Sequence, residues 1–149
     1  MSATIRRIEA QDEAAWRKLW DGYCAFYEVT IPASTTDFTW ARIMDPGSPV
    51  HAIVALDDAR QVIGICNYIL HDNTWVATPV CYLEDLFVAP AARAVGVGAM
   101  MIDWLKVEMA AQGWSRIYWN TKENNYRARG LYDKFTPRDP FVRYVIKAG

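Results

Sequence analysis

The sequence predicts an α/β fold, an α+β mixed sheet with helices on both faces, in the order β-α-α-β-β-β-α-β-α-β(-β). Three observations carry this. Short runs rich in β-branched and aromatic residues, bounded by Gly, Pro, Asp and Asn, alternate with longer runs of helical apolar spacing. Ala15, Trp16, Leu19, Trp20, Tyr23, Phe26 and Tyr27 form one wide apolar helical face. The stretch Val80 to Trp104, VCYLEDLFVAPAARAVGVGAMMIDW, passes from a strand through a glycine-spaced loop into a helix. At 149 residues the chain is expected to be one domain, 1–149, large enough for a single core.

The elements follow in order. Thr4 to Ile8 is a short strand, and a helix spans roughly Asp12 to Glu28. Pro32 breaks the pattern; Ser34 or Thr35 caps a second helix reaching about Met44, closed by Pro46-Gly47. His51 to Leu56 and Val62 to Leu70 form a hairpin around Asp57-Asp58-Ala59-Arg60, with Gly64 at a bulge or a close approach. His71 to Thr78 reads as a loop and Cys81 to Val88 as a buried strand. A helix carrying Met100, Met101, Trp104, Leu105 and Val107 stops at Gly113. Arg116 to Asn120 is another strand. A helix then starts near Glu123 to Asn125, and a last strand runs from Phe141 to Ile146.

Composition excludes several classes. A net charge of −1 with no basic stripe argues against nucleic-acid binding through phosphate neutralisation. No run reaches the length of a membrane span and no apolar leader follows Arg6 and Arg7, so a cytoplasmic protein is expected. Cys24, Cys66 and Cys81 cannot all pair, and their apolar contexts suit reduced core thiols. His51 and His71 lack metal-ligand spacing with each other or with the cysteines, so no metal is expected.

Chemistry concentrates in the strand–loop–helix stretch. Glu84 and Asp85 stand among apolar residues, where carboxylates are rarely buried unless something uses or satisfies them. Gly96 and Gly98 let the backbone approach a ligand, and the first N–H groups of the following helix have no internal acceptors. Such a helix start suits a phosphate anion. The spacing is neither G-x-G-x-x-G nor followed by G-K-[ST], which excludes the dinucleotide fingerprint and the Walker loop.

YLEDLFV, Arg93 to Gly98 and the later WNTKENNYRARGLYDK together resemble the GNAT superfamily of acyl-CoA-dependent N-acetyltransferases. The second is similar to that family's R/Q-x-x-G-x-G/A pyrophosphate loop. Asn125, Ala128, Leu131 and Tyr132 are similar to its N-x-x-A-x-x-L-Y helix. The resemblance is specific over Pro79 to Lys134 and looks most like the polyamine and yeast histone-acetyltransferase-like branches. One departure stands out: after Tyr132 the chain reads Asp133-Lys134-Phe135-Thr136-Pro137, without the family's glycine turn.

The resemblance implies transfer of an acetyl group from acetyl-CoA to a primary amine, in a ternary complex and without an acyl-enzyme. It also implies a homodimer and a small-molecule or peptide amine acceptor; the charge and the lack of a membrane-length apolar run add the expectation of neither nucleic acid nor membrane as partner. Backbone amides across Ala94, Val95, Gly96, Val97, Gly98 and Ala99 would hold the diphosphate, with Arg93 adding charge. Leu86, Phe87 and Val88 would pair their backbone with the pantetheine arm, and Asn125 would contact the CoA arm. The rival readings are a binding module that holds acyl-CoA without turnover, and a structural domain with no CoA site.

The acceptor ammonium, with a pKa near 10.4, must first lose a proton, which selects a carboxylate in the cleft. Glu84 is the expected base; its alternative is a structural carboxylate bonded to neighbouring backbone. Strict alternation sends Glu84 and Asp85 to opposite faces, so both reach one cleft only if the strand bulges. Asp85 is then a cation-attracting substrate contact or, alternatively, a salt-bridge partner. Tyr132 is the expected acid for the leaving thiolate, although Ala128, Leu131, Tyr132 and Phe135 also read as a core stripe. Tyr23, Tyr27 and Glu28, at the end of the first long helix, line the acceptor site if the family pattern holds; core aromatics and a solvated charge are the alternative.

Overall fold

The computed structural model describes residues 2–149, Ala94 by its backbone alone. Of these, residues up to 119 form one compact unit and residues 120–149 a second, smaller one.

The first unit is built on a five-stranded sheet: β1 (Thr4–Arg7), β2 (Val50–Leu56), β3 (Val62–Asn73), β4 (Val76–Val88) and β5 (Ile117–Tyr118), adjacent in that order. The first four pair antiparallel and β5 joins β4 in parallel, which makes the sheet mixed as expected. All of β2 except His51 is buried, because this strand has neighbours on both edges and helices over both faces.

Helix α1 (Glu13–Phe26) and helix α2 (Ala33–Met44) cover one face. Glu9 and Asp12 exchange backbone and side-chain hydrogen bonds in a capping box ahead of α1. From there Trp16, Leu19 and Trp20 descend onto Val54, Leu56, Ile65 and Phe87, and α2 adds Trp40 and Ile43. Neither Ser34 nor Thr35 caps α2; both lie inside its first turn, and the Pro32 carbonyl accepts from Thr35 N and Thr36 N.

Helix α3 (Val97–Gln112) covers the opposite face with Val97, Met101, Ile102 and Leu105, and ends on left-handed Gly113. Gly64 answers both expectations made for it: the β2–β3 register shifts next to it, and a Cβ there would lie 3.0 Å from Met101 Cε and 3.2 Å from Val97 Cγ1. Met101 can swing aside but β-branched Val97 cannot. Gly64→Ala is therefore expected to cost about 1–2 kcal/mol, read as a lower denaturant midpoint at unchanged m-value.

Two expectations are corrected here. His71 to Thr78 is not a loop: β3 and β4 run on through it to the pair Asn73–Val76, leaving a tight turn at Thr74-Trp75. Asn73 Oδ1 makes that turn by accepting from Trp75 N at 2.8 Å. The last strand, Phe141 to Ile146, does not form, so the order ends on a helix. In the second unit α4 (Tyr126–Tyr132) is the one regular element among the described residues. The run from Phe141 to Ile146 leaves Phe141, Val142, Tyr144, Val145 and Ile146 exposed without a ladder. Its β-branched residues favour a strand only where a partner strand accepts their hydrogen bonds. None of the helices among the described residues is long and apolar enough to cross a membrane.

Candidate active site

The site begins with a fault in strand register. Asn67 opposes Asp85 while the next residue, Tyr68, opposes Leu83, so Glu84 is an extra residue in β4. The bulge breaks the alternation that would separate two neighbouring acids. Glu84 and Asp85 both line one cavity of about 120 Å³, with Trp20, Val50 and Ile69 as apolar walls and Thr39, Arg42 and Asn67 as polar ones. A larger hollow of about 290 Å³ runs along α1 and the start of α2, lined by Asp21, Cys24 and Ile31 among others. It contains neither acid of β4.

The two acids differ in setting. Glu84 is exposed at the cavity rim, whereas Asp85 is 8% exposed. Asp85 Oδ2 accepts from Asn67 Nδ2 at 3.1 Å, and the Tyr23 hydroxyl also donates to this carboxylate. Asn67 is itself oriented by Trp16, whose Nε1–H donates to Asn67 Oδ1 at 3.1 Å. Trp16, Asn67, Asp85 and the half-buried Tyr23 thus form a chain from α1 through β3 and β4 back to α1. No buried polar side-chain atom among the described residues lacks a partner. Burial pushes the Asp85 carboxyl up from 3.8 to about 6; the bonds from Tyr23 and Asn67 pull the other way, and the Glu84 charge adds to the rise. Burial and then the Asp85 charge raise the Tyr23 phenol in turn.

Tyr27 packs on Tyr23 with ring centroids 4.8 Å apart, and Glu28 is exposed with a left-handed φ of 55°. Neither lines the cavity that holds the acids.

Below the bulge, β5 pairs with β4 only at Cys81 and Tyr82. From Leu83 to Val88, including Leu86, Phe87 and Val88, that edge of β4 has no strand neighbour among the described residues. An open edge of this kind presents main-chain donors and acceptors to an extended ligand. The chain then makes a 3-10 turn over Pro90–Val95 and reverses at Gly96, with φ 76° and ψ 22°, into α3. Nothing lies within 4 Å of a Cβ at Gly96, so the dihedral, not space, requires glycine there. Met100 N is the first donor to reach the Gly96 carbonyl, so helix geometry leaves the amides of Val97, Gly98 and Ala99 without intrahelical acceptors. Open strand edge and free helix start together fit the arm and diphosphate of an acyl-CoA.

Arg93 is tied back: its Nε donates to the Val88 carbonyl at 3.0 Å, and its guanidinium lies 5.2 Å from the Phe87 ring and 5.7 Å from Phe26. In the second unit, Asn125 caps α4 by accepting from Ala128 N at 3.4 Å and donates to Thr121 Oγ1 at 3.3 Å. Tyr132 is the last residue of α4 and is half-buried.

Asn67, Trp16 and Arg42 were missed by the sequence reading. An asparagine inside the apolar run VIGICNYIL was the available signal for the first of them.

Comparison with known proteins bears on the family and the fold. The model of the acetyltransferase (GNAT) family matches residues 14–136. The chain is 33% identical over 141 residues to the D-amino-acid N-acetyltransferase HPA3 of Saccharomyces cerevisiae, covering 94% of this chain and 88% of that protein. A crystal structure of a probable acetyltransferase superposes with a TM-score of 0.86 at 21% identity, covering 98% of each chain. The ribosomal-protein-alanine N-acetyltransferase of Brucella melitensis biovar Abortus 2308 gives a TM-score of 0.80 at 17% identity, covering 99% of this chain and 100% of that one. At those identities the two structures establish a common fold only. Family match and yeast relative together span almost the whole sequence, and the chain belongs to the GNAT acetyltransferase family.

Proposed function

We propose that the protein is an N-acetyltransferase that uses acetyl-CoA to acetylate a primary amine by direct attack, with residues 1–149 acting as one catalytic domain. The observation that carries this reading is the bulge that turns Glu84 and Asp85 into one cavity beside the open edge of β4. Acetyl-CoA, when bound, supplies the activated acyl group; the remaining work falls to this chain. The amides of Val97, Gly98 and Ala99, with those of the preceding turn from Ala94, hold the diphosphate, and Arg93 adds positive charge. Leu86, Phe87 and Val88 align the acyl carrier through their main chain and offer an N–H to the thioester oxygen. Asp85 draws the acceptor ammonium inward and Glu84 takes its proton. Neutralising an amine of pKa near 10.4 at pH 7 otherwise costs about 4–5 kcal/mol.

The roles of Asn125 and Tyr132 rest on the family's helix pattern: Asn125 contacts the CoA arm and Tyr132 donates a proton to the leaving thiolate. Tyr27 and Glu28 are carried as outer acceptor contacts on the same basis. Family habit supports a homodimer, and composition a cytoplasmic enzyme without metal.

The test is CoA thiol release from acetyl-CoA over a panel of amines, headed by amino acids because the yeast relative is named for D-amino acids. Release with at least one amine is expected; tight acetyl-CoA binding with no release from any acceptor overturns the reading. Tyr132→Phe is expected to lower kcat about tenfold. This is a modest effect for an acid, because a thiol of pKa near 8.5 leaves readily unassisted. A kcat equal to wild type removes Tyr132 from the mechanism.

A further inference from the structure

We propose that Arg42 binds the carboxylate of the acceptor, so that the amine acetylated in this cavity is the α-amino group of a zwitterionic amino acid. The proposal rests on the transferase reading above and names the acceptor class of that same site.

The cavity carries charge of both signs. Glu84 and Asp85 stand on β4, and Arg42, in the last turn of α2, lines the same cavity. Arg6 pairs with Asp12 at 2.7 Å, Arg7 with Glu108 at 2.8 Å, and Arg17 with Glu13 and Asp37 at 2.9 Å each, and none of these three lines the cavity. Arg42 makes no ion pair among the described residues. Its contacts stay within α2: a long 3.4 Å hydrogen bond to Thr39 Oγ1, and the Phe38 ring 4.8 Å from its guanidinium carbon. Stacking on an aromatic face leaves the in-plane N–H groups of a guanidinium available, and their fork matches a carboxylate.

Ligand charge then follows from the cavity. An ammonium shared by Glu84 and Asp85 with a carboxylate at Arg42 sets a group of opposite sign against each charge there. A polyamine brings a second cation against Arg42, and a plain alkylamine leaves the arginine unanswered. Trp20, Val50 and Ile69 leave apolar wall for the side chain of the amino acid.

The experiment is a cycle between ligand and protein. For several apolar amino acids and the matching amines that lack the carboxylate, kcat/KM is measured by thiol release in wild type, Arg42→Ala and Arg42→Lys. In wild type, loss of the carboxylate is expected to cost about 10- to 100-fold in kcat/KM, chiefly through KM. In Arg42→Ala the same ligand change should cost less than about threefold, with Arg42→Lys recovering part of the difference. A carboxylate effect of equal size in wild type and Arg42→Ala, or a preference for amines that lack it, overturns the proposal and leaves the transferase reading intact. Absence of thiol release from every acceptor overturns both.

Discussion

Glu84→Gln is expected to lower kcat/KM for amine acetylation by about 10²- to 10⁴-fold, the usual contribution of a positioned general base. The amide keeps the size and reach of the side chain, and Glu84 is exposed, so folding is not at issue. What disappears is the place for the ammonium proton. Deprotonation then falls to solvent, and the residual rate should rise about tenfold per pH unit up to the acceptor's own pKa near 10. Wild type should instead flatten above the ionisation of Asp85 near pH 6. A second consequence concerns the neighbour. The Glu84 charge is one cause of the raised Asp85 carboxyl, so its removal lets that group fall below about 6. The acid limb of the residual activity should move to lower pH accordingly. Acetyl-CoA binding measured by calorimetry separates lost chemistry from lost cosubstrate affinity. A pH–rate profile parallel to wild type at comparable kcat/KM would mean that another group takes the proton.

Much of this site was legible because its residues are close in sequence. YLEDLFV, the turn at Gly96 and the helix behind it lie within one strand–loop–helix stretch, where local spacing carries the information. The bulge was stated only as a condition, since no local signal tells Glu84 from Asp85 as the extra residue. The β3 ladder decides it, through the pairs of Asn67 and Tyr68 with Asp85 and Leu83. The orienting chain was invisible for the same reason: Trp16 and Asn67 are 51 residues apart, and Asn67 and Asp85 are 18 apart. Thr74-Trp75 lacks the Asn-Gly or Asp-Gly signature of a hairpin turn, and its Asn73 side-chain bond substitutes for it. Phe141 to Ile146 failed in the opposite sense. Its composition suits a strand, but a strand exists only in a ladder, and residue type does not supply the partner.

Asp85→Asn is expected to stabilise the fold at neutral pH while impairing acetylation. The Asp85 carboxyl titrates near 6 in the folded chain against 3.8 unfolded, so burying its charge opposes folding. Below pH 3.8 both states are protonated and the penalty is absent. Between 3.8 and 6 the native state holds a proton that the unfolded chain has released, and stability falls as pH rises. Above about 6 the full penalty applies, at most about 3 kcal/mol for a shift of this size. Asparagine carries no charge and keeps the network. Its Oδ1 accepts from Asn67 Nδ2, and its amide donates to the Tyr23 oxygen once that hydroxyl turns away. The gain should be about 1–3 kcal/mol at pH 7.5, or about 2–10 °C in Tm for a chain of this length, vanishing below pH 4. A gain of equal size at pH 4 and 7.5, or a loss at 7.5, contradicts this account of the buried charge. On the functional side, the acid limb near pH 6 in kcat/KM should disappear, because that limb reports Asp85 losing the charge that attracts the acceptor ammonium. Stability withheld at Asp85 and activity gained there are then two readings of one ionisation, and the same pH separates them in both assays.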